Sequence, residues 1–204
     1  TLKAALTAEA ILPPAELQAV THFIDEMTGN DLYDLQERYV FLFDRTRSLS
    51  LHLFEHVHGE GRGRGEALVD LQTLYLRHGL DIAAHELPDF LPLFLEFLGT
   101  LPFKEARETL RQPLHIVTVL GERLEKRGSP YRAVFAAIEA LASAKAPATD
   151  MAELRKAHDD DPNDFAALDR AWEDAPVTFG PGDAQASCTQ SDAGLARIET
   201  PVAS

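Results

Sequence analysis

The chain has 204 residues, 45% of them hydrophobic and 25% charged, which suits one soluble domain with a real core and excludes a fibrous or wholly disordered chain. Nineteen Lys and Arg against 33 Asp and Glu give a formal charge of −14, so nucleic acid and anionic membrane surfaces are excluded as general partners. The single cysteine, Cys188, permits no internal disulfide and no Cys-ligated zinc or iron–sulfur centre. No window reaches the roughly 18 uninterrupted apolar residues of a membrane span, so direct membrane insertion is not expected.

Leucine and alanine number 29 each, against 6 Ile and 9 Val, a balance of straight-chain helix formers over β-branched residues. The expected class is all-α. The opening Thr-Leu-Lys-Ala-Ala-Leu has neither an initiating Met nor a basic-then-apolar leader, and reads as a shortened chain rather than a secreted precursor.

In chain order, Pro13-Pro14 opens a helix carrying Leu17, Val20, Ile24 and Met27 on one face. Gly29-Asn30 stops it and supplies the next N-cap. Residues 31–43 repeat Leu32, Leu35, Tyr39, Leu42 and Phe43 at helical spacing, and residues 44–48 form a polar break. A short apolar helix over 49–57 should end at the glycine-rich stretch 59–65, where four glycines in seven residues argue against regular structure. Residues 66–78 resume as helix, with Gly79 as its left-handed C-terminal residue.

Asp89 is expected to cap the next helix, with Phe90 as its first residue, so that Pro92 falls where an amide has no partner anyway. Over 90–98 this helix is apolar on nearly all sides and is expected to be the central buried element. Helices over 104–111, 114–126 and from Ser129-Pro130 to Ala142 complete a bundle ending near Ala146-Pro147. Residues 150–204 hold 12 acids and 4 bases. The expected organisation is therefore a helical domain over 1–147, an acidic helical extension over 148–174 with Phe165, Leu168 and Trp172 on one face, and a disordered tail over 175–204.

Two chemical readings compete. His52-x-x-Glu55-His56 fits the pattern of inverted zinc peptidases, two histidines one turn apart with a glutamate as base, and would make the chain a zinc-dependent hydrolase. Its predicted helix is short and no third ligand is evident, so partly buried, hydrogen-bonded histidines are the better reading of His56 and His58. Arg62 and Arg64 read as solvated, and neither a dinucleotide fold nor a P-loop is supported. The second reading rests on the aromatic surplus of the middle third, Phe41, Phe43, Phe54, Phe90, Phe94, Phe97 and Phe103. A bundle with an apolar cleft and polar rim is the ordinary site for another chain's amphipathic helix, so composition favours a binding protein over an enzyme.

The strings Leu42-Phe43-Asp44-Arg45, Phe54-Glu55-His56-Val57-His58-Gly59-Glu60, Arg64-Gly65, Val69-Asp70-Leu71 and Glu86-Leu87-Pro88-Asp89 resemble the NarJ-type nitrate reductase molybdenum cofactor assembly chaperones. These are also called nitrate reductase delta subunits, and belong with the TorD and DmsD types of redox-enzyme chaperone. The resemblance is strongest over 39–101 and implies a single-domain helical bundle that is cytoplasmic, non-enzymatic and without a cofactor of its own. It further implies binding to the N-terminal peptide of the apo catalytic (alpha) subunit of respiratory nitrate reductase. That subunit would be held ready for insertion of the molybdenum cofactor and an iron–sulfur cluster before membrane assembly. Molybdenum cofactor biosynthesis proteins are a further implied partner.

The wider superfamily's Glu-x-Pro-Asp-His signature matches Glu86, Pro88 and Asp89, but its histidine is Phe90 here, which argues against an Asp–His pair and leaves Asp89 as a cap or rim acceptor. The peptide site expected from this resemblance places apolar client side chains on Tyr39, Phe43, Phe54 and Phe90. Glu55, Glu60, Glu86 and Asp89 would meet polar and basic groups at the rim, with His56 and His58 tuning affinity through titration near pH 6.5.

Overall fold

A computed structural model describes residues 2–58, 62–83 and 86–165. The described residues are all-α: the ten helices are α1 (Leu2–Glu9), α2 (Pro14–Gly29), α3 (Leu32–Tyr39), α4 (Glu55–His58), α5 (Arg62–Arg77), α6 (Leu91–Gly99), α7 (Phe103–Leu110), α8 (Leu114–Lys126), α9 (Arg132–Ala142) and α10 (Ala148–Lys156). A π turn over Val40–Asp44 prolongs α3, and a 3-10 turn over Arg47–Leu49 follows it. Of the expected acidic extension, α10 is the helical part among the described residues, and the part with Leu168 and Trp172, like the expected tail, lies outside them.

The boundaries follow from local chemistry. Proline at the first position of α2 lacks only an amide that had no partner, and Gly79 takes φ +75°, the left-handed conformation that closes α5. The cap of α3 is Asp31 rather than Asn30: its side chain accepts the Tyr33 amide at 2.9 Å. The glycine-rich stretch is partly helical after all, since α5 begins at Arg62 and runs through Gly63 and Gly65. The expected helix over 49–57 is reduced to the four residues of α4, because the Leu51 carbonyl and the Leu53 and Phe54 amides are committed to Leu91 and Asp89.

The central element is α8, not α6. It buries Leu114, Ile116, Val117, Val119, Leu120, Gly121, Arg123 and Leu124, being covered by α9, by α10 and by the 47–49 turn. By contrast α6 buries Leu91, Phe94, Phe97 and Leu98 but exposes Pro92 and Glu96, so one side remains in solvent. A Cβ at Gly121 would stand 3.1 Å from Arg132 Nη1 and Glu139 Oε1, so the glycine makes room for the α9 ion pair lying over it. Phe23, Tyr39, Phe43 and Tyr131 form an aromatic cluster that joins α2 and α3 to the start of α9, with the Arg38 guanidinium 5.7 Å from the Tyr131 ring.

Candidate functional site

The site grows from two loops that pair. His52 and Phe90 form an isolated antiparallel bridge in which the Leu53 amide donates to Asp89 O at 3.0 Å and the Leu91 amide to Leu51 O at 2.8 Å. Because Leu51 already satisfies the first amide of α6 and Pro92 has none, the helix needs no side-chain cap. Phe90 is its N-cap residue, and Asp89 is not a cap.

The Asp89 side chain turns inward instead. It is 0% exposed, and its Oδ2 accepts the Phe54 amide at 2.9 Å while Oδ1 lies 3.4 Å from His52 Nδ1. An imidazole therefore does stand beside Asp89, supplied by His52 where the superfamily signature led to Phe90. The His52 ring leans on Phe90, with centroids 5.4 Å apart. Below this pairing the Tyr75 hydroxyl donates to Pro88 O at 2.7 Å, and burial, reinforced by the Asp89 charge, pushes its phenol far above the usual range.

The next turn carries four of the expected residues. The Phe54 ring is half-buried and meets the His58 ring edge-on at 5.7 Å, and Glu55 pairs with Arg64 at 3.1 Å. His56 Nε2 lies 2.8 Å from Ser50 O, which accepts only if that nitrogen carries the proton. Burial holds the His56 pKa below its ordinary value, against the Ser50 hydrogen bond, which raises it. His58 is exposed rather than partly buried.

Tyr39 and Phe43 belong to the aromatic cluster, their rings 5.1 Å apart, and Phe43 is buried in the core while Tyr39 is half-buried. Desolvation raises the Tyr39 pKa, and the charges of Asp44 and Glu86 raise it further. Exposed Glu86 is thus within electrostatic reach of the Tyr39 hydroxyl. Glu60 lies outside the described residues.

The zinc reading fails on geometry. His52 precedes α4 and sits in the bridge, so it is not one helical turn from His56, and Glu55, His52 and His56 each have a different partner. Among the described residues no three His, Cys, Asp or Glu side chains converge as a metal site. No described helix is long and apolar enough to cross a membrane.

Sequence reading missed Tyr75, His52 as a partner of Asp89, and two arginines. Arg123 Nη1 donates to Ser48 O at 2.6 Å, and its Nη2 reaches Leu154 O at 3.2 Å and Ala157 O at 3.3 Å. Arg127 Nη2 donates to Asp159 Oδ1 at 2.8 Å, Asp160 O at 2.9 Å and Ser48 Oγ at 3.2 Å. A signal existed: Arg123 sits between Leu120 and Leu124 on the apolar stripe of α8, and Tyr75 sits one turn after Leu71 on α5. A polar group on such a stripe must find a partner.

Residues 9–137 match the family model described as nitrate reductase delta subunit. The chain belongs to this family. Over 177 residues it is 42% identical to the nitrate reductase molybdenum cofactor assembly chaperone NarJ of Escherichia coli K12, covering 86% of this chain and 74% of that one. The "probable nitrate reductase molybdenum cofactor assembly chaperone NarW" of the same strain is 39% identical over 160 residues, or 78% of this chain and 69% of its own. NarJ of Bacillus subtilis 168 is 32% identical over 114 residues, 56% of this chain and 62% of its own. The delta subunit family is one of chaperones rather than catalysts.

Proposed function

We propose that this chain is a client-specific chaperone that binds the N-terminal segment of the apo catalytic subunit of respiratory nitrate reductase. It holds that subunit ready for insertion of the molybdenum cofactor and an iron–sulfur cluster, in the cytoplasm and before membrane assembly. Relatives named for nitrate reductase molybdenum cofactor assembly support the client's identity. Molybdenum cofactor biosynthesis proteins are the second class of partner on this reading.

The observation that carries the reading is the bridged pair of loops. It fixes Phe54, His52 and Phe90 as half-buried ring surfaces on one rigid backbone unit, with Glu55 beside Phe54 and exposed Glu86 near Tyr39. An amphipathic client helix has apolar anchors for the rings and basic groups for the acids. On this reading Tyr39, Phe54 and Phe90 make the contact. Phe43 supports Tyr39 from within the core, and Asp89, having no exposed surface, positions Phe54 rather than touching the client.

Calorimetric titration of the chain with a peptide of the client's first residues, about fifteen so as to give four helical turns, tests this. Saturable binding that weakens on Phe54→Ala and on Tyr39→Ala is expected. No heat, together with no co-purification of the apo catalytic subunit, overturns it.

A further inference from the structure

The segment after α10 crosses the front of α8 and is fastened by polar contacts together with the burial of Pro162. Ala157 O accepts from Arg123, which also holds Leu154 O in the last turn of α10, and Asp159 and Asp160 O accept from Arg127. Pro162 is buried, and the segment reaches Phe165, whose ring lies 4.9 Å from the Arg45 guanidinium. The same two arginines hold Ser48 on the opposite side, through its carbonyl and its hydroxyl. They are therefore a two-sided clamp between the 45–50 turn and residues 157–165.

Beneath the clamp lies a cavity of about 130 Å³. One wall is built from Glu55 and His56, residues of the candidate docking turn, and another from Ala157, His158 and Asp160 of the crossing segment. Ile116, Val119 and Leu120 of α8 form an apolar floor. The contents of this hollow, an apolar floor with acid and imidazole at the edge and arginine donors at the back, are those that suit a short polar-edged segment. In this structure the chain's own residues occupy the front of it.

We infer that residues 157–165 are a releasable strap, competing in cis with the client for the face beside Glu55 and His56. This rests on the client-binding reading of that turn given above. Two properties of the strap make release feasible. Its fastening is polar and accessible at the edge, since Asp159 is 29% exposed, so water and ions replace those contacts at modest cost, unlike the burial of an apolar helix face. Release also frees Arg123 from the Ala157 carbonyl while its Ser48 and Leu154 bonds stay, and so presents one open donor direction to an incoming chain. Ala157 is the C-cap residue of α10, so the carbonyls at a client helix's C-terminal end match what the donor loses. The strap acts as a stand-in for part of the client.

The test uses the whole chain and the client peptide described above. Asp159→Asn removes the ion pair with Arg127 without touching the docking turn, and Arg127→Gln removes it from the other side should the first change be tolerated without loosening the strap. Peptide affinity is expected to rise about three- to tenfold in both variants, as when a minor competent state becomes a major one. Hydrogen exchange at the amides of Ala157, bonded to Leu154 O of α10, and of Asp164 and Phe165, bonded within the strap, is expected to quicken on peptide binding to the unaltered chain. Equal affinity in all three proteins, with strap amides equally protected with and without peptide, overturns the strap and leaves the client reading intact. No peptide binding by any form overturns both. Circular dichroism and thermal midpoints near those of the unaltered chain establish that the variants are folded.

Discussion

Asp89 and Phe54 lie 35 positions apart in the chain, and a single buried hydrogen bond, Phe54 N–H to Asp89 Oδ2 at 2.9 Å, locks one loop to the other. The pairing makes Asp89 a structural pin for the aromatic surface. Asp89→Ala leaves the Phe54 amide without its acceptor and opens a small void, and is expected to cost about 1 to 3 kcal/mol in chemical denaturation. Asp89→Asn retains one oxygen for the amide, and should lose less than half as much. Equal losses for the two would show that the amide bond is not what Asp89 contributes.

Tyr75 supports the same loop from beneath through its hydroxyl bond to Pro88 O. Tyr75→Phe removes only that hydroxyl and strands a buried carbonyl, with an expected loss of about 1 to 2 kcal/mol. The phenol is held neutral by burial, so the unfolded chain loses this proton near the ordinary value of 10 while the folded one keeps it. The folded state then binds more protons, and its stability is complete below pH 10 and falls as pH rises beyond it. Denaturation at pH 9 and pH 11 checks the sign: the unaltered chain should lose more stability across that interval than Tyr75→Phe does.

The fold class and most helix positions were legible because leucine spacing and proline placement are local signals: the α8 bounds follow from Pro113 and the apolar stripe, and Gly79 from its place after a periodic run. The loops were not, because their conformation is decided by partners distant in sequence. Nothing near Asp89 distinguishes a helix cap from a pin; the difference is made by Leu51, whose carbonyl takes the Leu91 amide and frees the carboxyl group for Phe54. Likewise residues 44–48 read as a polar surface break, yet Thr46 and Ser48 are buried, because Arg123 reaches across from α8 to the Ser48 carbonyl. Phe54 and Phe90 were named from their aromaticity and from the family resemblance, and the bridge that brings their backbones together has no signature in either string.

His56 should make the protein less stable in mild acid. Burial lowers its folded pKa below the unfolded value near 6.5, so below that pH the unfolded state binds the extra proton and folding weakens as pH falls; above it the contribution is complete. Proton NMR is expected to give a midpoint for His56 under 6.5. Stability measured at pH 7.5 and 5.5 should fall in the unaltered chain, and fall less in His56→Gln, whose side-chain amide can still donate to Ser50 O. The same fall in both would place the acid sensitivity elsewhere.

Arg123 is the residue on which the two halves of the bundle front depend. It is 5% exposed, and its three carbonyl partners belong to two segments, Ser48 on one side and Leu154 and Ala157 on the other. A planar fork can point donors both ways at once, whereas an ammonium is a single compact head. Arg123→Lys is therefore expected to keep one side and release the other, at a cost of about 1 to 2 kcal/mol, and Arg123→Met to lose both, at about 2 to 4 kcal/mol. Hydrogen exchange separates the cases: the Ala157 amide should quicken in both variants, and the Ser50 amide, bonded to Arg47 O, should quicken only in Arg123→Met. Full protection of both amides in Arg123→Met would mean that the turn and the segment are held by their apolar contacts and that the fork is incidental.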